Sequence, residues 1–193
     1  MRSFVLALLL ALTPGVALAH PHVMIDAHAV VEFKEGRIVS LFMGWKLDPV
    51  YSSTIFKDFD KNKDGKLDAA DMATIETEAF SDTKPTSYLT YPKVNGIPAS
   101  GLSAVDFKVL GVKGALIYVF RLPLPEPVDP RKAAFSFSTY EETYYIDIDF
   151  PEDKAIVLQG SGSDGCKAVM APDHANPLLG GVVLPKKVEI LCP

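Results

Sequence analysis

Residues 22–45 read HVMIDAHAVVEFKEGRIVSLFMGW, and this stretch decides the fold. β-Branched and apolar residues dominate residues 22–33, a polar segment with a glycine occupies residues 34–36, and residues 37–45 are apolar again. Two such runs separated by a short turn are typical of a β-hairpin. We therefore predict that the folded chain begins in a β-sheet.

The strand pattern is interrupted once, at about residues 49–80. Apolar residues recur at helical spacing in Pro49–Phe59, where Tyr51, Ile55 and Phe59 are four apart, and again in residues 69–80. The residues between these two segments are polar. The pattern predicts two short helices joined by a polar loop.

Short strand patterns return after Pro85. Residues 122–131 contain four prolines and are predicted to cross the surface without joining a sheet. The spacing of the strands favours a sandwich, so the predicted fold is α+β and mostly β: an antiparallel β-sandwich-like domain with an inserted helix-loop-helix. The predicted strands cover residues 87–94, 105–110, 115–122, 133–140, 144–150 and 155–159.

The composition limits the possible functions. Of 193 residues 48% are apolar, which is enough for one domain with its own core. A net charge of −5 with scattered lysines offers no basic stripe for phosphates, so we expect no nucleic acid partner. The sequence has no hydrolytic triad pattern, glycine-rich phosphate loop or zinc-protease helix motif, so we expect no enzymatic activity.

The first 19 residues have the pattern of a secretory signal peptide. Arg2 supplies a positive start, residues 4–12 are apolar, and Ala17-Leu18-Ala19 is a small-residue cleavage site. The apolar run is far shorter than the roughly 20 residues that span a bilayer. We therefore predict an exported domain, residues 20–193, without a membrane anchor.

Export also bears on the two cysteines, Cys166 and Cys192. An oxidising compartment favours disulfides over free thiols, and these residues have only each other as partners. We predict a disulfide between them.

The polar loop between the two predicted helices, Asp60 to Asp71, has the sequence DKNKDGKLDAAD. It fits the 12-residue calcium loop of an EF-hand, with oxygen ligands at alternate positions and Gly65 at the sharp turn. Since the last position is Asp rather than Glu and one such loop is present, we expect structural calcium, or magnesium, rather than a sensor. The predicted ligands are the side chains of Asp60, Asn62, Asp64, Asp68 and Asp71 and the carbonyl group of Lys66.

Cleavage after Ala19 would make His20 the first residue, two positions before His22. A terminal histidine offers an amine, with a pKa of about 7.7, and an imidazole from one residue. Such nitrogen ligands suit Zn, Ni, Co or Cu, and the sequence does not choose among them. Pro21 lacks the backbone N–H that a square-planar amino-terminal chelate would need, so a site built on two imidazoles is favoured.

The remaining ligands of this predicted transition-metal site must come from elsewhere. Asp26 and His28 lie about 13 and 20 Å along the strand from His22, too far to share its ion. His174 is the first choice as a remote ligand. Glu141 and Asp147 are the second choice.

Six motifs stand out along the exported chain. They are the Ala-His-Pro-His cleavage region, the Val-x-Ile-Asp strand, Asp48-Pro49-Val50-Tyr51, the polar loop, residues 126–132 and Tyr140-Glu141-Glu142-Thr143-Tyr144-Tyr145. Together they resemble the domain-of-unknown-function 1007 family over nearly the whole exported chain, although Glu141 and Glu142 depart from the family pattern Tyr-Asp-Pro-Thr-Tyr-Tyr. The resemblance implies a periplasmic protein that handles metal ions and works beside ABC-type or nickel and cobalt permeases.

Three functional hypotheses follow. The favoured one is a periplasmic carrier, buffer or chaperone for a transition metal, which feeds a membrane permease and is stabilised by calcium. The alternative is a calcium-stabilised extracytoplasmic binding module without a transition metal. A copper redox enzyme that uses the N-terminal histidine is the third and the least favoured.

Overall fold

The computed structural model describes residues 21–151 and 153–193. The predicted signal peptide and His20 lie outside these residues. The described chain forms two β-sheets that share one hydrophobic core, and the predicted α+β, mostly β class is confirmed. The strands are β1 Val23–Lys34, β2 Arg37–Leu47, β3 Thr90–Val94, β4 Ile97–Pro98, β5 Val105–Val112, β6 Ala115–Val128, β7 Phe135–Thr139, β8 Ile146–Asp149, β9 Ile156–Gly160, β10 Lys167–Pro172 and β11 Lys186–Leu191.

The predicted hairpin is the centre of the first sheet. β1 and β2 pair antiparallel, with Ala27 opposite Trp45. Side chains of β1 alternate between buried and more exposed positions, because successive residues of a strand point to opposite faces. The first sheet has the order β5-β6-β2-β1-β8, with β9 also pairing with β1, and the second has the order β10-β11-β7-β3-β4.

The first sheet is mixed rather than purely antiparallel. β8 and β9 both pair with β1 in the parallel direction, with Val23 opposite Ile146 and Ala29 opposite Ile156. Periodicity along the chain predicts that a segment is a strand, but it carries no information about its neighbours. This is why the sequence suggested only antiparallel pairs.

The inserted helices cover part of the inner face of the first sheet. Helix α1, Pro49–Phe59, has the predicted bounds, and helix α2, Ala69–Ile75, continues as a π-helical turn, Glu76–Phe80, and a 3₁₀ segment, Ser81–Leu89. The buried Phe80 packs on Trp45 of β2, with ring centroids 6.1 Å apart. The helices therefore belong to the core of the domain.

The structure corrects two further predictions, the start of a strand and the crossover at residues 122–131. The strand expected at residues 87–94 begins only at Thr90, because Ser87, Tyr88 and Leu89 take left-handed φ angles of 55°, 54° and 50° that no strand contains.

The proline-rich residues 122–131 do not form a crossover, because β6 continues to Val128 and pairs there with Ile38 of β2. Pro123, Pro125 and Pro127 lie in the part of β6 beyond Arg121, where β6 has no pairing with β5 and its register against β2 shifts between Pro123 and Val128. Prolines are tolerated at such sheet edges and bulges, because they lack the N–H group that a regular ladder needs.

The C-terminal part forms a hairpin of β10 and β11, which the sequence did not predict. The predicted disulfide between Cys166 and Cys192 is confirmed and closes the open end of this hairpin, with a Cα–Cα distance of 4.1 Å. Within the described ranges, none of the helices combines the length and apolar content that a membrane crossing needs.

Candidate functional site

His22, the described member of the predicted histidine pair, lies immediately before β1. Its backbone N–H donates a hydrogen bond of 2.9 Å to the carbonyl oxygen of Tyr145, just before β8. Its imidazole stacks on the Tyr145 ring, with ring centroids 4.9 Å apart and 26° between the planes. His22 is exposed, and Tyr145 keeps 55% of its surface exposed, so one face of the imidazole is supported while the residue stays open to solvent.

Asp48 ties the beginning of α1 to the beginning of β1. One carboxylate oxygen accepts hydrogen bonds from the N–H groups of Val50 and Tyr51, each 2.9 Å, and caps the helix. The other oxygen accepts from the N–H of Met24 at 3.0 Å, while the N–H of Asp48 donates to the carbonyl oxygen of Met24, also at 3.0 Å. Burial acts to raise the pKa of Asp48, but these N–H donors outweigh it and hold the pKa below its ordinary value.

Glu141 performs a similar task on the other side of His22. Its oxygens accept from the N–H of Thr143 at 2.9 Å, from the Thr143 hydroxyl at 2.7 Å and from the N–H of Tyr145 at 2.9 Å. Burial acts to raise the pKa of Glu141, and these donors lower it further than burial raises it. The carboxylate therefore fixes the turn that places the Tyr145 ring against His22.

Two sequence motifs distant in the chain thus meet at the start of β1. The first contains Asp48 and the second contains Glu141 and Tyr145. We call the group His22, Met24, Asp48, Glu141 and Tyr145 the His22 corner.

The outer face of the first sheet extends from this corner along β1 and β8. Asp147 lies opposite Met24 in the parallel pair and is half-buried; burial and the charge of Asp149 raise its pKa, against a hydrogen bond from the Tyr144 hydroxyl. Asp26 and Asp149, one step further along, are bound by Lys46 at 3.0 Å and Lys186 at 2.9 Å.

His28 lies further along the same face and is exposed, opposite Gly44 of β2. This placement agrees with the expectation that it does not share an ion with His22.

His174, the remote ligand predicted first, is exposed in the loop that joins β10 to β11. The disulfide lies at the opposite end of this hairpin, so another group must hold the loop. That group is Asp173, 2% exposed, which accepts from the Ser138 hydroxyl at 2.6 Å and the Asn176 amide at 2.7 Å. These donors hold the pKa of Asp173 below its ordinary value although burial acts to raise it.

The predicted calcium loop lies between α1 and α2. Asp60 accepts from the N–H of Gly65 at 2.8 Å, and Asp64 accepts from the N–H of Lys66 at 2.9 Å. Gly65 and Lys63 take left-handed φ angles of 77° and 59°, which fold the loop back on itself. The result is a tight, exposed turn rich in carboxylate oxygens.

The second half of the loop starts α2. Asp68 accepts from the N–H of Asp71 at 3.0 Å, and Asp71 accepts in return from the N–H of Asp68 at 3.1 Å, which is a capping box. Asp71 is 6% exposed, and Leu67 packs against the hydrophobic core.

The donor chemistry of the loop, four carboxylates and one amide, fits calcium. In the described residues, however, no three His, Cys, Asp or Glu side chains are grouped so that they could hold a metal ion, and this holds for the polar loop and for His22, His174, Glu141 and Asp147.

The family described as "protein of unknown function (DUF1007)" matches residues 5–179, which include both the His22 corner and the polar loop. The chain belongs to the DUF1007 family. A relative from Haemophilus influenzae (strain ATCC 51907 / DSM 11121 / KW20 / Rd), described as an uncharacterized protein, is 29% identical over 166 residues, 81% of this chain and 74% of the relative. No solved structure matches the chain.

The sequence of this DUF1007 chain showed these motifs but did not lead to a prediction of their structural contacts. An Asp followed by Pro before a helical pattern is a helix-start signal, and it would have identified Asp48 as a cap. The hydrogen bond from Asp48 to Met24 and the stacking of Tyr145 on His22 have no such local signal, because each joins segments that are far apart in the chain.

Proposed function

We propose that this DUF1007 protein is an extracytoplasmic metal-binding protein that binds one transition metal ion at the His22 corner and calcium at the polar loop. The observation that carries the proposal is the support of His22. Its imidazole is exposed and backed by the Tyr145 ring, and its backbone N–H is hydrogen-bonded to the Tyr145 carbonyl oxygen. A ligand that is already oriented loses less entropy when it binds an ion.

The roles of the two corner carboxylates support the same proposal. Asp48 and Glu141 each accept several backbone donors, so their oxygens hold Met24 and Tyr145 in place. The imidazole of His22 stays open to solvent in this corner. Imidazole nitrogen suits Zn, Ni, Co and Cu better than Mg or Ca. The amine and imidazole of His20 would complete the site in a chain cleaved after Ala19.

Two features favour a location outside the cytoplasm. The disulfide between Cys166 and Cys192 is of a kind that persists in oxidising compartments. The signal pattern of residues 1–19 would deliver the chain to the periplasm. There the protein would carry or buffer its ion and release it to a membrane permease.

The polar loop supplies the calcium part of the proposal. Its carboxylates are exposed apart from Asp71 and the half-buried Asp60, and the loop joins two helices that pack on the core. A calcium ion there would link the end of α1 to the start of α2. Calcium would then act on stability, with a dissociation constant of about 10⁻⁴ to 10⁻³ M, as in extracellular modules.

The proposal is tested on protein exported from the full-length gene and purified from a bacterial periplasm, with the N-terminus verified by mass. Native mass spectrometry and calorimetric titration with Zn, Ni, Co and Cu should show one transition metal ion per chain, bound below micromolar, and one calcium ion. His22→Ala should weaken transition-metal binding by about tenfold or more, which is 1.4 kcal/mol.

His28→Ala is the matched control, because His28 is also exposed on β1 and should leave the affinity unchanged. A chain that begins at His20 and binds none of the four metals below micromolar would contradict the proposal. A chain that binds calcium alone would favour the calcium-stabilised binding module.

A further inference from the structure

Met24 is exposed on the outer face of β1. It keeps 56% of its surface exposed, whereas Met43 of β2 is fully buried. Methionine is normally among the most buried residues. The next residue of β1 on this face is the charged Asp26, and His22 lies just before the strand, so Met24 does not belong to an apolar patch on its own strand.

Met24 and His22 lie two residues apart at the same edge of the molecule. His22 lies at a bend just before β1 and Met24 is the second residue of the strand, so their Cα atoms are no more than about 7 Å apart. The backbone of both residues is held, His22 by Tyr145 and Met24 by two hydrogen bonds with Asp48. The Met24 side chain has three rotatable bonds, so its sulfur can move toward an ion on the His22 imidazole while the backbone stays in place.

Most carboxylates around this pair already have partners. Asp26 and Asp149, further along β1 and β8, are each engaged by a lysine, Lys46 and Lys186. Asp48 and Glu141 are engaged by backbone donors. Asp147, opposite Met24 on β8, is half-buried and accepts a hydrogen bond from the Tyr144 hydroxyl. The ligands that His22 and Met24 themselves offer are a nitrogen and a thioether sulfur.

We propose that Met24 is a metal ligand together with His22 and that the metal carried by this protein is Cu(I). Thioether sulfur selects Cu(I), and imidazole also suits copper, whereas a thioether adds little to the binding of zinc, nickel or cobalt. The inference rests on the proposed function, because it names the ion bound at the same corner.

The test compares the parent chain, Met24→Leu, His22→Ala and His28→Ala, all exported and starting at His20. Leu keeps the size and apolar character of Met24 but removes the sulfur. Each protein is titrated anaerobically with Cu(I) against a chromophoric Cu(I) chelator, and separately with Zn(II) and Ni(II). Copper K-edge absorption of the Cu(I)-loaded parent reports directly whether sulfur is bound.

Met24→Leu should weaken Cu(I) binding by about tenfold or more and leave Zn(II) and Ni(II) binding unchanged. His22→Ala should weaken all three, and His28→Ala none. The absorption spectrum of the parent should show sulfur beside nitrogen.

An unchanged Cu(I) affinity in Met24→Leu, or a spectrum without sulfur, overturns the role of Met24 while the proposed function stands. Failure of the parent to bind any of these ions below micromolar overturns both.

Discussion

The polar loop and the His22 corner are built in opposite ways. In the loop, carboxylates accept from N–H groups no more than five residues away, as Asp60 does from Gly65. In the corner, Asp48 accepts from Met24, 24 residues earlier, and His22 stacks on Tyr145 of a segment near the other end of the chain. The loop can therefore form within its own helix-loop-helix, but the corner exists only when the first sheet is complete.

The two regions also offer ions different ligands. The loop presents exposed carboxylates, which suit hard cations such as calcium. In the corner the carboxylates of Asp48 and Glu141 accept hydrogen bonds from backbone N–H groups. The imidazole of His22 and the thioether of Met24 are open to solvent. Two ions of different chemistry could thus be bound by one small domain without competing for the same site.

The largest effect on stability should come from removing the carboxylate of Asp48, which joins α1 to β1. Asp48→Ala removes the cap of α1 and the acceptor for the Met24 N–H, so we expect the free energy of unfolding to fall by about 2 kcal/mol. Transition-metal affinity should fall as well, because β1 loses its attachment to α1. Urea denaturation and metal titration measure the two effects.

Asp58→Ala is the matched control, since Asp58 is an exposed carboxylate of the same helix. An equal loss of free energy of unfolding in Asp48→Ala and Asp58→Ala would contradict the conclusion that Asp48 joins α1 to β1.

Calcium should have a smaller effect. At ten times its dissociation constant, bound calcium should raise the free energy of unfolding by about 1.4 kcal/mol. The gain should be the same in the parent and in His22→Ala, and absent when Asp60 and Asp64 are both changed to Asn. Thermal or urea unfolding with and without calcium measures it, and a loss of the gain in His22→Ala would show that the two regions are coupled.

The smallest effect concerns Glu32 and Arg121, a long-range ion pair on the outer face of the first sheet. A hydrogen bond of 2.7 Å from Arg121 holds the pKa of Glu32 below its ordinary value, against burial and with help from the Ser40 hydroxyl and the Arg121 charge. Since the pKa is lower in the folded chain, this contribution is present above the unfolded pKa and is lost as the pH falls through the folded pKa.

Glu32→Gln should remove this pH dependence and lower the free energy of unfolding near neutral pH by about 0.5 kcal/mol, because the pair is partly exposed. Urea unfolding between pH 3 and 7 (about the range in which carboxyls titrate) measures both effects. The exposed Glu78→Gln is the control. Equal pH profiles for parent and Glu32→Gln would show that a long-range carboxylate contact alone adds no stability.

Much of the fold could be predicted because its signals are local. The bounds of α1 follow from the Asp-Pro start and the apolar spacing, and the β1-β2 hairpin follows from two apolar runs and a turn. Pairing between distant segments gave no such signal. The parallel neighbours of β1 and the β10-β11 hairpin were missed for this reason.

The candidate site divides in the same way. The polar loop could be recognised in the sequence because its oxygen donors fall within 12 consecutive residues. The disulfide could be predicted because the sequence contains two cysteines and offers no other pairing. His22 could be proposed as a ligand because of its neighbours in the sequence. The exposure of Met24 and the structural tasks of Asp48 and Glu141 could not be predicted, since they depend on which strands meet at the start of β1.

The parallel pairing of β1 also affects the order in which the chain can fold. β1 pairs first with β2, which follows it directly, but its other edge waits for β8 and β9, more than a hundred residues later. Contacts of such high sequence separation slow folding. A chain that emerges with its N-terminus first would thus keep one edge of β1 unpaired until nearly the whole chain has emerged. During that time the incompletely folded chain could still be threaded through a narrow channel or captured by a chaperone.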